Sequence, residues 1–275
     1  MRIGVDIGGT TIRMGIVDGG VILKKISEPC RADKSEKETT DHLIAMLRTL
    51  VNSNIRGVGI GVPAFVDSDR GIVYNSINIP AWKEVPLKDI LEQEFNLPVY
   101  INNDCNCFAF GERYHGEGTT SRNLVCISLG AGLGAGIIVD NKLYCGRNNA
   151  AGEIGCLPYR DFDFEHYCSS HFFVGHYDMT GAEAHAKALE GDAKALAIWK
   201  EFGFHLGNLI QTILFVYDPE TIIIGGRISL AHDYFADSMH AVVEQFPFSE
   251  PKRNLKIRFS QNEDSSLLGA AALVL

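Results

Sequence analysis

The feature that most constrains the fold is a layout that occurs twice, about 120 residues apart. In each copy a β-prone run meets a glycine turn, a second β-prone run follows, and a short turn leads into a third. The first copy spans residues 3–25 and the second spans residues 124–144. Such runs, bounded by turn residues, are typical of hairpins, and internal repetition indicates duplicated structural units. The sequence therefore predicts two related α/β domains.

The glycine turn of the first copy is suited to phosphate. Gly8 and Gly9 let the backbone approach an anion closely, and Thr10 and Thr11 add two hydroxyls. Asp6 would repel a phosphate but could face a magnesium ion through water. An ordinary tight hairpin is the alternative for this turn alone. Two such turns could grip one phosphate chain between them, which hairpin packing does not explain.

A second candidate site follows a short apolar strand predicted at residues 97–101. The strand ends in the polar cluster Asn102-Asn103-Asp104, and a helical pattern begins at Cys105. Asp104 would lie at the carboxyl end of a strand, where open α/β sheets place their ligands. Its carboxylate could accept a proton from an alcohol that the neighbouring amides hold. The alternative is that these side chains only cap the helix.

Composition excludes several classes of function. The chain has 275 residues, a net charge of −9 and no basic run longer than Lys24-Lys25, so no nucleic-acid partner is expected. No apolar run reaches the roughly 18 residues of a membrane span. The first strand begins at Arg2, which leaves no room for a signal peptide. These features predict a cytoplasmic protein without a membrane partner.

The seven cysteines do not indicate a disulfide framework. Their number is odd and they are scattered along the chain, which is typical of reduced thiols. Cys105 and Cys107 have the spacing of a metal pair, but on a helix two such side chains point in different directions. They are interpreted as small core residues.

The periodicity of apolar residues predicts the remaining elements, and the repeated layout divides the chain into two domains. Helices are predicted at 35–52, 86–95, 178–189, 193–216, 233–246 and 265–275, with further strands at 57–62, 221–226 and 255–259. One domain is predicted to comprise residues 1–113 together with the final helix, 264–275. Residues 114–263 are predicted to form the other domain.

Taken together, the motifs resemble those of the ROK family of sugar kinases and sugar-responsive repressors. The matching segments are Asp6-Ile-Gly-Gly-Thr10 with Arg13, Asn102-Asn-Asp104, residues 129–134, Gly152-Glu-Ile-Gly155, and Asp218-Pro with Gly225-Gly226. Their order and spacing agree over nearly the whole chain. The resemblance implies the α/β fold of the actin-like ATPase superfamily: a two-lobed, ribonuclease H-like fold with duplicated domains and a central ligand cleft.

The resemblance also implies roles for individual residues. Asp104 matches the general base, and the expected sugar-binding residues are Asn78, Asn103, Asp104, Glu153 and Glu165. Asn78, which could alternatively shape a turn, precedes Pro80-Ala81-Trp82, and Glu165 lies in Phe164-Glu-His-Tyr167. The residues expected to bind ATP and Mg²⁺ are Asp6, Gly8, Gly9, Thr10, Thr11, Arg13, Gly130, Ala131, Gly132, Gly225 and Gly226.

Three departures from the family pattern stand out. Many members carry a zinc site made of a histidine after Gly-Glu-Ile-Gly and three nearby cysteines. Here Cys156 replaces that histidine, and residues 158–163 contain no cysteine. A substitute site from Cys156, His166, Cys168 and His171 matches no established zinc spacing, so no metal site is predicted. In addition, Ala131 stands where threonine is usual, and Arg227 stands where a small residue is usual.

The resemblance implies an ATP-dependent kinase acting on the 6-hydroxyl of a hexose, with glucose as the first choice. N-acetylmannosamine and fructose are alternative substrates. A non-catalytic sugar sensor is the alternative function. Family members are often dimers, so a homodimer is a further expectation.

Overall fold

The computed structural model describes residues 1–274, which divide into two compact units. The first comprises Met1–Thr120, Gly136–Ala151 and the segment from Gln261; the second comprises Ser121–Ala135 and Gly152–Ser260. The predicted boundaries differ from this division chiefly because they left residues 136–151 out of the first domain. The physical reason is close packing: a Cβ on Gly136 would lie 2.5 Å from the Cβ of Ala109. No local sequence pattern records such a contact.

Fifteen strands and ten α-helices are assigned within residues 1–274. In chain order they are β1 Arg2–Ile7, β2 Thr11–Asp18, β3 Val21–Pro29, α1 Glu36–Arg48, β4 Val58–Val62, β5 Phe65–Asp67, β6 Ile72–Tyr74, β7 Glu84–Val85, α2 Leu87–Phe95, β8 Val99–Asn103, α3 Asp104–His115, β9 Leu124–Leu129, β10 Leu133–Val139, β11 Lys142–Leu143, β12 Pro158–Tyr159, β13 Phe162–Asp163, α4 Phe164–Cys168, α5 Ser170–Tyr177, α6 Gly181–Leu189, α7 Ala193–Tyr217, β14 Thr221–Gly225, α8 His232–Val243, α9 Ser249–Asn254, β15 Lys256–Phe259 and α10 Ser265–Ala272.

The first unit is built on a five-stranded sheet of order β3-β2-β1-β4-β8. β1, β2 and β3 form an antiparallel meander, and β4 and β8 run parallel to β1. Five of the six residues of β1 and all five of β4 are buried, as expected for strands covered on both faces. The parallel arrangement brings the carboxyl ends of β1, β4 and β8 to the same edge of the sheet.

The duplicated layout predicted from the sequence is confirmed. β2 and β3 are antiparallel and joined at Gly19 and Gly20, and β10 and β11 are antiparallel and joined at Asp140 and Asn141. All four joining residues have positive φ, which is the backbone of a two-residue turn that matches strand twist. Each copy therefore repeats the same sequence of strand, glycine turn, strand, tight turn and strand.

The second unit contains the parallel strands β9, β14 and β15, with β14 paired to both of the others. The long helix α7 packs on α8 through buried aromatic rings, including Trp199 and Phe235, whose centroids are 5.9 Å apart. The aromatic segment before α6, for which no elements were predicted, forms the β12–β13 hairpin and helices α4 and α5. Among residues 1–274, no helix has the length and apolarity needed to cross a membrane.

Candidate functional site

The predicted catalytic segment forms a strand-to-helix junction without an intervening loop. β8 ends at Asn103 and α3 begins at Asp104. Asn103 Oδ1 accepts hydrogen bonds from the amides of Cys105, at 2.8 Å, and Asn106, at 3.3 Å. Asn103 is therefore the residue that caps the helix. Asp104 Oδ1 accepts from the Cys105 amide at 2.9 Å, which fixes its carboxylate at the start of the helix.

The surroundings of Asp104 suit proton transfer at neutral pH. Loss of hydration on burial raises the pKa of Asp104 to about 7, and the negative charge of Asp6 acts in the same direction. A general base is most effective when its pKa lies near the working pH. The carboxylate of Asp104 can therefore be ionised near pH 7 and still accept a proton readily.

Asp6 is held by an arginine on the neighbouring strand. Asp6 and Arg13 are paired across β1 and β2, and Arg13 donates to Asp6 Oδ2 from Nε at 3.0 Å and Nη2 at 2.5 Å. Burial raises the pKa of Asp6, and the Arg13 guanidinium opposes that rise. The structure thus places Arg13, predicted among the cofactor-binding residues, against Asp6.

The first glycine turn lies beside the predicted sugar-binding asparagine. The amide of Gly8 donates to the carbonyl oxygen of Thr11 at 2.9 Å, which closes the turn. A Cβ on Gly9 would lie 3.0 Å from the Cβ of Asn78, so the absence of a side chain at residue 9 makes room for Asn78. Thr10 and Asn78 are both exposed. Two of the predicted ligand-binding elements are therefore in contact within the first unit.

Three residues that the sequence analysis did not single out surround Asn102. They are Asn106 on α3 and Cys145 and Asn149 in the segment after β11, and each contacts the Asn102 side chain. The only available signal was the doublet Asn148-Asn149 in a segment of small residues, which by itself indicates a turn. These three residues therefore contact the residue that precedes Asn103 and Asp104 in the chain.

A pocket of about 850 Å³ opens in the first unit close to this junction. Its lining residues are Phe65, Val66, Asp67, Ser68, Asp69, Arg70, Tyr74, Gly146, Arg147, Asn148, Asn149 and Ala150. The lining residue Asn149 donates to Asn102 in β8, and Asn103 Nδ2 donates at 3.4 Å to the carbonyl of Ala64, which directly precedes the lining residue Phe65. None of the predicted site residues is among these twelve.

In the second unit, the predicted second phosphate turn is shaped by the start of α5. Ser170 donates from its amide to the carbonyl oxygen of Gly130 and from its hydroxyl to that of Ala131, both at 2.9 Å. A Cβ on Gly130 would meet no atom within 4 Å, so the turn faces open space. Ala131 supplies no hydroxyl there, and only the backbone could contact an anion.

The two predicted sugar-binding glutamates lie close to this turn. Glu165 accepts a hydrogen bond from the Leu133 amide at 2.8 Å, and a Cβ on Gly132 would lie 2.6 Å from Glu165 Oε2. Desolvation raises the pKa of Glu153, and the charge of Glu165 adds to the rise. The two carboxylates are thus electrostatic neighbours, and they form an acidic group suited to accept hydrogen bonds from hydroxyls.

Gly225 ends β14, and Gly226 follows it next to the same turn. Gly226 has a φ of 86°, and a Cβ there would overlap the backbone carbonyl of Leu129, the residue before Gly130. Ser229 donates from its amide and hydroxyl to the carbonyl oxygen of Gly226 at 3.1 and 2.7 Å. Within the second unit, the structure therefore brings together the two glycine motifs and the two glutamates.

The residues present are compatible with a nucleotide and a divalent cation. Asp6 Oδ2 accepts both hydrogen bonds from Arg13, and within residues 1–274 no hydrogen bond is assigned to Asp6 Oδ1. Asp6 and Asp104 repel each other electrostatically, and a cation would relieve that repulsion. The open turn at Gly130 and the exposed turn at Thr10 leave backbone groups accessible to phosphate oxygens.

The zinc ligands that the resemblance would require are not assembled. In the part of the chain that the structure describes, no group of three or more His, Cys, Asp or Glu side chains is arranged to hold a metal ion. Of the conceivable substitutes, Cys168 is buried whereas Cys156 is exposed. The positions between Cys156 and His166 are occupied by the β12–β13 hairpin, in which Tyr159 stacks on Phe164 with ring centroids 4.3 Å apart.

Comparison with known proteins gives a consistent result. The sequence model described as the ROK family matches residues 2–275. A glucokinase of Halalkalibacterium halodurans is 30% identical over 311 residues, covering 99% of this chain and 94% of that protein. A xylose repressor of Caldicellulosiruptor bescii is 29% identical over 319 residues, covering 99% of this chain and 77% of the repressor.

The fold is shared with a solved kinase. The crystal structure of a ROK family glucokinase from Streptomyces griseus, in complex with glucose and AMPPNP, has a TM-score of 0.84 and 29% identity. The match covers 99% of this chain and 98% of that one. The predicted fold class, an α/β fold of the actin-like ATPase type, is confirmed by this likeness.

Proposed function

The chain belongs to the ROK family, and from that membership we propose that it transfers a phosphoryl group from ATP to the 6-hydroxyl of a hexose. Glucose is the first candidate substrate. The observation that carries the proposal is Asp104, whose carboxylate is fixed at the start of α3 and has a pKa of about 7. Relatives described as glucokinases support the same reaction class.

The proposed roles divide the site by chemistry. Asn78 and Asn103 of the first unit and Glu153 and Glu165 of the second hold the ring hydroxyls, because amides and carboxylates together can both donate to and accept from a sugar. The residues proposed to bind the nucleotide and its cation are Asp6, Gly8, Gly9, Thr10, Thr11, Arg13, Gly130, Ala131, Gly132, Gly225 and Gly226. Arg13 would act mainly by neutralising Asp6.

In the proposed mechanism, Asp104 accepts the proton of the 6-hydroxyl as the hydroxyl oxygen forms a bond to the γ-phosphorus of ATP. The bond between that phosphorus and the bridging oxygen of the β-phosphate breaks, and ADP leaves with the electron pair. Asn103 holds the sugar beside Asp104, so the hydroxyl is oriented before it reacts. ATP with Mg²⁺, when bound, supplies the phosphoryl group and neutralises its charge. Backbone amides of the two glycine turns would stabilise the negative charge that develops on the phosphoryl oxygens.

A sugar sensor without catalysis is the second candidate. It is favoured by Ala131, which removes a hydroxyl from the second turn, and by the similarity to a xylose repressor. A sensor would need the sugar-binding residues and not the proton transfer.

The experiment that tests the proposal measures ADP release with ATP and Mg²⁺ across glucose, N-acetylmannosamine, fructose and mannose. Turnover with one of these hexoses would support the kinase and identify its substrate. Absence of turnover, combined with a rise in melting temperature when a sugar is added, would favour the sensor. N-acetylmannosamine and fructose are the alternative substrates, and the homodimer and the cytoplasmic location remain predictions.

A further inference from the structure

Three buried asparagine side chains connect the segment after β11 to the β8–α3 junction. Asn102 Oδ1 accepts hydrogen bonds from Nδ2 of Asn149, at 3.1 Å, and from Nδ2 of Asn106, at 2.9 Å. Asn106 Nδ2 also donates to Asn149 Oδ1 at 3.2 Å. Each amide therefore contacts the other two. None of the three is more than 6% exposed.

The contacted atom of Asn102 is the one that orients the junction. The same Oδ1 accepts from the backbone amide of Asn103 at 2.8 Å. Asn103 in turn caps α3 through the amides of Cys105 and Asn106. A short chain of hydrogen bonds thus leads from Asn149 to the residue immediately before Asp104.

The composition of this cluster is not what stability alone would favour. Asn106 Oδ1 is buried and has no hydrogen-bond partner among residues 1–274. A buried polar network that is only partly satisfied is less stable than apolar packing of the same volume. Its arrangement around Asn102 therefore points to a task other than filling the core.

We propose that Asn149 is a positioning residue that, through Asn102, holds Asn103 and Asp104 in the geometry required for proton transfer. This inference rests on the proposed function, because it assigns Asn149 a task in the same reaction. Asn149 itself is placed by the short loop in which the Ala151 amide donates to the Cys145 carbonyl at 3.1 Å. Within residues 1–274, no hydrogen bond is assigned between Asn149 and either Asp104 or the predicted phosphate turns.

The backbone of Asn149 allows a clean test. Its φ is 56°, in the left-handed region that asparagine and glycine adopt readily. Asn149→Gly therefore keeps the backbone conformation and removes only the amide. Asn149→Asp keeps the shape but replaces the donor that faces Asn102 Oδ1 with a second acceptor. Asn96→Gly is the matched control, because Asn96 is exposed and left-handed at the end of α2.

The experiment compares steady-state kinetics of these variants with the best hexose from the panel. Misplacement of reacting groups by about 1 Å lowers rates by up to about 100-fold, so kcat is expected to fall about 10- to 100-fold in Asn149→Gly. The kcat of Asn149→Asp is expected to fall at least as far, because a carboxylate oxygen of residue 149 would then face Asn102 Oδ1. The KM for ATP is expected to stay within about twofold of the value for Asn96→Gly.

A second readout does not depend on turnover. Hydrogen exchange at the amides of Cys105 and Asn106 is expected to be faster in both Asn149 variants than in Asn96→Gly, because their cap has been loosened. Normal kcat in both Asn149 variants, or unchanged exchange, would overturn the inference. If Asp104→Ala is inactive while both Asn149 variants turn over normally, this inference fails alone. If Asp104→Ala keeps its turnover, the proposed function fails and this inference fails with it.

Discussion

The carboxylates of the candidate site differ in their surroundings, and this difference is the basis of the roles proposed for them. Burial raises the pKa of Asp6, Asp104 and Glu153. Asp6 is compensated by a guanidinium on the next strand, and Glu153 has a second carboxylate beside it. Asp104 has no guanidinium to offset its burial, the charge of Asp6 raises its pKa further, and the resulting pKa of about 7 is close to the working pH of most enzymes. Of the three, it is the side chain best suited to take a proton.

Replacing Asp104 with alanine tests that assignment. We expect Asp104→Ala to lower kcat by about 10²–10⁴ or more, because general-base catalysis contributes on this order. The hexose affinity should change only modestly, since Asn103 and the other residues proposed to bind the sugar remain. Steady-state kinetics and hexose titration would measure the two effects separately. Near-normal turnover would remove Asp104 from the role of base.

The raised pKa of Asp104 also predicts a pH dependence of stability. A carboxyl whose folded-state pKa lies above its ordinary value of 3.8 stabilises the fold when protonated, and that contribution is lost as pH rises toward 7. The side-chain amide of an Asp104→Asn variant would stay neutral throughout. We therefore expect the variant and the parent protein to have the same free energy of unfolding near pH 4. At pH 8 the free energy of unfolding of the variant should be higher by roughly 2–4 kcal/mol. Urea unfolding between pH 4 and pH 8 measures the difference in unfolding free energy between the two proteins. A difference that does not change with pH would contradict the stated pKa.

At the scale of elements, the close approach of β14 and β9 depends on one glycine. Gly226 has positive φ and leaves no space for a Cβ against Leu129. The turn that follows is closed by Ser229 on the Gly226 carbonyl. The predicted nucleotide-facing turn therefore contains a backbone position that glycine occupies without strain and that a residue with a Cβ could not.

A matched pair of alanine substitutions separates strain from steric overlap. Gly191 also has positive φ, but a Cβ there would meet nothing within 4 Å. Gly191→Ala is expected to cost about 1 kcal/mol of unfolding free energy from the backbone alone. Gly226→Ala should cost about 3 kcal/mol or more, because the strand ends must also move apart. Chemical denaturation measures both losses of unfolding free energy. Equal losses in the two variants would show that the overlap between a Cβ at residue 226 and Leu129 is relieved without further loss of stability.

Elements with a strong local signal could be predicted from the sequence. A helix was predicted at 178–189, and α6 covers Gly181–Leu189, with Thr180 and Glu183 forming a capping box at its start. α7 was predicted at 193–216 and ends at Tyr217. The hairpin and helices between Leu157 and Tyr177 were not predicted, because their aromatic residues show neither a strand nor a helix period. Their positions are fixed by ring contacts between distant residues, such as Tyr159 with His205.

The candidate site could be predicted only in part, for the same physical reason. Asp104 and Asn103 belong to a contiguous motif at a strand end, which the sequence displays directly. Asn149 lies 43 residues from Asn106, and only folding brings the two amides to 3.2 Å. The pairing of Arg13 with Asp6 was also missed, although the two residues face each other across a predicted hairpin.

At the scale of the whole molecule, α10 belongs to the unit that begins with β1. A Cβ on Gly59 would overlap the carbonyl oxygen of Ala270, and one on Gly111 would overlap that of Ser265. α10 is thus seated in direct backbone contact with β4 and α3, and the first unit is incomplete without it.

Filling this contact should destabilise the first unit as a whole. We expect Gly59→Ala to lower the free energy of unfolding by about 3 kcal/mol or more, because α10 must be displaced. Gly175→Ala is the control, since that glycine lies in α5 with nothing within 4 Å of its Cβ position. Alanine there should raise stability by up to about 1 kcal/mol. Thermal unfolding of both variants would test whether stability falls in Gly59→Ala and rises in Gly175→Ala.

The seating of α10 has a consequence for biosynthesis. β1 and β4 are translated more than 200 residues before the helix that covers them. At about 5–20 residues per second, roughly 10–50 s pass before the ribosome has made that helix. During this interval the nascent sheet presents an uncovered apolar face, which is the kind of surface that chaperones bind and that promotes aggregation.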